Sequence, residues 1–318
     1  AWQMPDHRDV IIPIIAFGRR RAFMKSLHNF NEEGSLVTTA QLGSGEFKYE
    51  VAVDWETIPD GYQWREVAGV ITDSSDNVYV FNRGPHPMIV FDKGGNFIKS
   101  WGEDVFVRPH GASAGPDNTL YLTDDGDHTV RQCTLDGEVL MTIGVPGQAA
   151  ELYSGAPFNR CTHVAVDPDN GDLFVSDGYG NARVHKYSAD GEPIMSWGGP
   201  GTGPGEFNIV HNIATDRDGY VYVADRENHR VQIFDRNGNF ETEWSHLHRP
   251  CAIYITEDQR VYVGELGWGA LVEKNTPNIG PRITIMNTRG NVLERLGNGH
   301  GLEPGQFIAP HGMCVDSQ

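Results

Sequence analysis

Residues 209–244 read IVHNIATDRDGYVYVADRENHRVQIFDRNGNFETEW. Four short apolar or β-rich runs are punctuated by the turn dipeptides Asp218-Gly219 and Asn237-Gly238, which favour tight reversals between strands. The same pattern recurs at 66–102, 109–144, 161–198 and 250–297, the last with an insertion near Trp268–Gly280. A further copy starts at 309–318, APHGMCVDSQ, and stops after its first strand. Four strands per repeat of about 40–50 residues is the signature of a β-propeller blade. The Trp-Gly pairs that close two copies, Trp101-Gly102 and Trp197-Gly198, read as packing and turn residues. Five copies and a started sixth predict an all-β, six-bladed β-propeller of NHL-type repeats over residues 46–318, preceded by an arm at 1–45.

Completion of the last blade is open in the sequence. Glu46–Trp55 (EFKYEVAVDW) reads as an outer strand without a blade of its own. The two middle strands would come from residues 1–45, with Val10–Phe17 and Ser35–Leu42 as candidates, from a partner chain, or from further C-terminal sequence. Arg19–Leu27 reads as a short helix or a basic, solvated arm.

The 318 residues hold 38 glycines, as many tight turns require, and 25 Lys+Arg against 43 Asp+Glu, a net charge of −18. This acidity argues against nucleic acid or an anionic membrane as the main partner, because both attract clustered cations. The longest apolar run, Val10–Phe17, is interrupted by Pro13 and is too short to span a bilayer, which takes about 20 residues. The sequence starts at Ala1 without Met, which leaves room for a removed leader and an exported protein; a cytoplasmic one fits equally. Cys133, Cys161, Cys251 and Cys314 are far apart and form no C-x-x-C pair, so free buried thiols are expected, in keeping with a reducing compartment.

Equivalent positions of successive blades are related by rotation about the propeller axis. The residue before the first strand of each copy is Ala68, His110, His163, His211, Cys251 and His311 in turn. His110, His211 and His311 fall in alternate copies, 101 and 100 residues apart, and so a third of a turn from one another. Three imidazoles so placed can converge on one metal ion and leave a fourth position open, as in catalytic zinc sites. His163, in the third copy, is an additional candidate as ligand, proton carrier or bystander. The ends of the second strands give another ring: Arg83, Asp125, Gly178, Arg226 and Leu266, with Tyr179 after Gly178. Arg83 and Arg226 suit a carboxylate-bearing small molecule or peptide, and Tyr179 suits a general base.

GPGEFNIVHNIA at 203–214 and ADRENHRVQIF at 224–234 resemble the NHL repeats. Together with VDW at 53–55, NRG at 82–84, PHG at 109–111 and 310–312, and SDGYGNAR at 176–183, the chain resembles the peptidyl-α-hydroxyglycine α-amidating lyases from about Asp54 to Asp316. The resemblance implies a six-bladed propeller that splits a carbinolamide into an amide and glyoxylate. It implies zinc on His110, His211 and His311, Tyr179 as active-site tyrosine, and Arg83 and Arg226 as its arginines. It also implies a channel calcium held partly by the carbonyls of Val70 and Ala112. Gly312 stands where that family has a calcium carboxylate, His163 where it has Asp, Ala309 where it has Met, and Gly180 where it has Cys. A zinc-dependent carbon–nitrogen lyase is the leading expectation. Zinc-dependent hydrolysis of an ester, lactone or amide, and a non-enzymatic binding scaffold, are the rivals. No G-x-G-x-x-G in a βαβ context or Walker sequence suggests a nucleotide cofactor.

Overall fold

The computed structural model describes residues 15–18, 21–23, 40–267 and 279–317. Five four-stranded antiparallel sheets follow one another as blades. Their first strands are Val67–Thr72, Pro109–Ala114, His163–Val166, Val210–Thr215 and Pro250–Ile255. Their second strands are Val78–Asn82, Thr119–Asp124, Leu173–Asp177, Val221–Asp225 and Arg260–Glu265. Within each blade, successive strands pair in sequence order.

Among the described residues the expected sixth four-stranded blade is not formed, and the propeller has five. The sheet in its place is five-stranded and mixed, in the order Met313–Val315, Ile15–Gly18, Arg21–Phe23, Tyr49–Ala52, Gln41–Leu42. Two of its pairings are parallel: Ile15–Gly18 with Met313–Val315, and Arg21–Phe23 with Tyr49–Ala52. A parallel neighbour cannot be reached by a tight hairpin, so this sheet is not the four-strand meander that the repeat encodes. Residues 1–45 do supply strands to it. Arg21–Phe23 is a strand where a helix or arm was expected, and Tyr49–Ala52 is flanked by Gln41–Leu42 rather than lying outermost. The remainders of the expected Val10–Phe17, Arg19–Leu27 and Ser35–Leu42 segments, and most of the insertion, at 268–278, lie outside the described residues.

The core lies between neighbouring blades. Phe81, Met88 and Val90 of the first blade pack on Leu120 and Leu122 of the second, and Phe174 and Val184 of the third on Val223 and Phe234 of the fourth. The blade-end tryptophans lock this packing. A Cβ on Gly137 would lie 2.7 Å from Trp101, one on Gly238 2.9 Å from Trp197, and one on Gly290 2.5 Å from Trp244. Each tryptophan thus fills the space under a turn of the next blade, and that turn needs glycine both for its positive φ and for its missing Cβ. All four cysteines are buried and free.

Candidate functional site

Each blade fixes its axial residues by one recurring device. A buried Asn82, Asp124, Asp177, Asp225 or Glu265 ends the second strand. Its side-chain oxygen accepts a backbone N–H from the segment leading into the first strand: Arg65, Arg108, Asn159, Asn208 and His248 respectively. In four of the five blades the residue just after this anchor is tied by its own N–H to the same leading segment: Arg83 to Glu66 O, Asp125 to Arg108 O, Arg226 to Ile209 O and Leu266 to Arg249 O. The end of the second strand and the start of the first are therefore held together.

His110, His211 and His311 meet on the axis. Their ring centroids are 4.9, 4.8 and 4.8 Å apart, close to an equilateral triangle, and one nitrogen from each lies within 4.8 Å of the others. Each Nδ1 lies 2.7 Å from a backbone carbonyl: Thr162 for His110, Cys251 for His211, Ala68 for His311. A carbonyl only accepts, so all three Nδ1 atoms carry a proton and all three Nε2 atoms are bare. Such a carbonyl contact is the usual way of fixing a metal-binding histidine.

The carbonyls belong to the intervening positions of the same ring, which corrects the place given to His163. Strand pairing matches His163 with Ser176, as Asn212 is matched with Ala224 and Ala252 with Gly264. Thr162, not His163, is therefore the equivalent of His110 and His211. His163 sits one residue further on and lines the central cavity of about 230 Å³, its ring 3.4 Å from Ser113 Oγ. Burial lowers its pKa to about 4.

Tyr179 completes the group. Its hydroxyl lies 3.0 Å from His110 Nε2 and 3.0 Å from His211 Nε2. Two bare nitrogens face one O–H proton, so one of them meets an oxygen lone pair. A cation at this point resolves the conflict, and three neutral imidazoles with bare Nε2 atoms are the donor set that a divalent transition metal takes. The tyrosine is aimed by its neighbours: a Cβ on Gly178 would lie 1.5 Å from the Val210 carbonyl oxygen, and one on Gly180 2.2 Å from Asn159 Oδ1.

Arg83 donates from Nε to the Pro109 carbonyl (2.8 Å) and from Nη1 to Glu66 (2.5 Å). Arg226 donates to Glu227 (2.8 Å), and its guanidinium carbon is 5.8 Å from the Tyr179 ring centre. The structure thus brings together the three histidines and Tyr179, with Arg226 near the Tyr179 ring and Arg83 on the carbonyl that precedes His110. Sequence reasoning missed Arg160, whose guanidinium lies 4.4 Å over the Tyr179 ring, and Arg108, paired with the same Asp125 as Arg160. Arg108, Arg160 and Arg249 all stand two residues before a ring position, at 110, 162 and 251, a regularity readable from correctly aligned repeats.

Val70 and Ala112 line the cavity, but no Asp or Glu does. Calcium takes six to eight oxygens, normally including carboxylates. The cavity side chains bond within the protein instead: Ser113 Oγ donates to Val164 O (2.5 Å), and Asn212 Oδ1 accepts from Ile253 N (3.2 Å). The donors present do not fit calcium.

Burial holds the His110 and His211 imidazoles well below their usual pKa and lowers His311 to about 3, helped in each case by nearby positive charge. In the unfolded chain these groups take protons near pH 6.5. The metal-free fold therefore keeps full stability above that pH and loses it as pH falls, because the unfolded state binds protons first. A histidine that stays neutral in the fold while the unfolded chain is protonated costs about 1.4 kcal/mol per pH unit, so stability falls between pH 5.5 and 4.5. Urea unfolding of chelator-treated protein at both pH values measures this, and His311→Gln should reduce the difference by about 1.4 kcal/mol. A difference unchanged by that substitution would show that the ring does not resist protonation.

The NHL repeat model matches residues 158–187 and 207–234. Human NHL repeat-containing protein 3 is 29% identical over 248 residues, covering 73% of this chain and 71% of that protein. Peptidyl-alpha-hydroxyglycine alpha-amidating lyase 1 of Drosophila melanogaster is 38% identical over 157 residues, covering 45% of this chain and 28% of the lyase. The chain thus spans well under two thirds of that enzyme's length. Among solved structures, a nidogen/laminin complex shares the fold with a TM-score of 0.56 at 14% identity, over 77% of this chain and 83% of the matched one. The chain thus carries two matched NHL repeats and is similar in sequence to the amidating lyases.

Proposed function

We propose that this chain is a metal-dependent carbon–nitrogen lyase acting on an N-(α-hydroxyalkyl) amide that carries a carboxylate, such as a peptidyl-α-hydroxyglycine. The observation that carries the reading is the Tyr179 hydroxyl, shared between the bare Nε2 atoms of His110 and His211 at 3.0 Å each. A divalent ion, zinc by the chemistry of the donors, would be held by the three Nε2 atoms and would supply Lewis acidity toward the substrate hydroxyl. Arg83 and Arg226 bind and orient the substrate carboxylate: Arg226 stands 5.8 Å from the Tyr179 ring centre, and Arg83 is held on the carbonyl of Pro109, next to His110. As the Tyr179 oxygen accepts the substrate hydroxyl proton, it passes its own O–H proton to the departing amide nitrogen. The C–N bond breaks as the C=O bond forms, and Tyr179 ends the turnover as it began, with one proton. One amide and one glyoxylate-like carbonyl result, and no water is consumed.

The similarity to a named amidating lyase supports the reading. The test is to incubate metal-loaded protein with an N-acyl-α-hydroxyglycine and to quantify amide and glyoxylate. Equimolar release, at a rate well above that of the chelator-treated protein, is the expected result. A carboxylic acid formed with uptake of water would point to hydrolysis, and no turnover with full metal loading would point to a binding propeller; either would overturn the proposal.

A further inference from the structure

Beside Tyr179 the charges do not balance. Asp125 is fully buried, and its Oδ2 accepts from two arginines: Arg160 through Nη2 (2.7 Å) and Nε (3.3 Å), and Arg108 through Nη1. Its Oδ1 has no hydrogen-bond partner. One carboxylate therefore serves two guanidinium groups, which leaves an excess positive charge. The two arginine side chains are 41% and 43% exposed, so N–H groups not engaged by Asp125 are open to solvent. Both are anchored through the backbone: Arg108 N donates to Asp124 Oδ1 (2.9 Å), and Arg160 N, at a φ of 64°, donates to His128 Nδ1 (3.1 Å).

The imbalance is part of a wider one. Arg226 and Arg249 share Glu227, and Arg83 pairs with Glu66. In these ion pairs Arg83, Arg108, Arg160, Arg226 and Arg249 share three carboxylates, Glu66, Asp125 and Glu227, in a protein whose net charge is −18. Guanidinium groups that outnumber their carboxylate partners attract anions.

We propose that Arg108 and Arg160, joined by Asp125, form a second anion subsite that takes a carboxylate on the acyl part of the substrate, so that the site favours acidic peptides. The proposal rests on the lyase reading for its choice of substrate. Arg83 and Arg226 take the carboxylate next to the scissile bond. Arg160 lies 4.4 Å over the Tyr179 ring and belongs to a separate ion-pair group, so the two anions do not compete for one guanidinium. A planar guanidinium fork is matched to a carboxylate and binds it in two-point fashion.

The test compares N-acetyl-aspartyl-glycine with N-acetyl-asparaginyl-glycine, which share the terminal carboxylate and differ by the side-chain charge. Calorimetric titration of the metal-loaded protein at low salt is expected to give about tenfold tighter binding of the aspartyl ligand. The ratio should fall to near one in Arg108→Gln, and likewise in Arg160→Gln. The ratio cancels any general weakening of the site, and exposed Arg108 offers a variant that should fold should Arg160→Gln fail. A ratio near one in the wild type, a ratio that survives the Arg108→Gln change, or no binding of either ligand overturns the subsite. Binding needs no turnover, so a preserved ratio without glyoxylate release from an N-acyl-α-hydroxyglycine would overturn the lyase reading and leave the subsite standing.

Discussion

Replacing His110 and His211 together by alanine is expected to yield a folded propeller without a bound transition metal and without measurable turnover. Two of the three Nε2 donors vanish, and the remaining His311 is one imidazole, which is too few ligands to retain the ion. Metal content by plasma mass spectrometry should fall from about one ion per chain to less than a tenth. The change also strips the Cys251 carbonyl of its Nδ1–H donor, whereas the Thr162 carbonyl keeps the Thr123 hydroxyl at 2.8 Å. An unsatisfied buried acceptor costs about 1–3 kcal/mol, so the variant should unfold at lower denaturant while keeping the β-sheet circular dichroism of the wild type. The blade cores are independent of this loss, because they are built between strands well away from the axis, as with Phe174 and Phe234. Equal metal content in variant and wild type would mean that the ion lies elsewhere, and would remove the basis for assigning chemistry to the axis.

The convergence of the three histidines was legible in the sequence for a geometric reason. A propeller turns sequence period into rotation, so histidines in alternate copies must face one another if the blades are regular. The same regularity misled where it stops. The closing sheet is made from segments that share no repeat motif, and two of its pairings are parallel, so counting copies overestimates the blades by one. His163 was displaced by one residue because a histidine was matched to histidines. The buried anchor that ends each second strand, Asp177 in that copy, fixes the alignment better, since it must reach a backbone N–H across the blade. Aligned by this anchor, Thr162 takes the ring position and offers its carbonyl, while Arg108, Arg160 and Arg249 fall into a common place. Those arginines are invisible to a search for metal ligands, and the ion pairs that organise them depend on contacts between blades that spacing does not encode.

Tyr179→Phe is expected to lower kcat by about 10²–10⁴-fold, the usual contribution of a positioned proton-transfer group, while metal content stays at about one ion per chain. The substitution removes one oxygen and keeps the ring. The glycines on either side still permit the close passes to Val210 and Asn159, and the stack under Arg160 depends on the ring face rather than on the hydroxyl. The three imidazoles keep their carbonyl contacts, so the metal-binding donor set is intact. KM should change little, because substrate carboxylate binding is assigned to Arg83 and Arg226. A fall in kcat with KM and metal unchanged is the mark of an interaction made in the transition state alone. Retention of kcat within threefold of the wild type, with metal bound, would show that the proton moves by another route, and the 3.0 Å contacts of Tyr179 to His110 and His211 would then serve only to hold those rings.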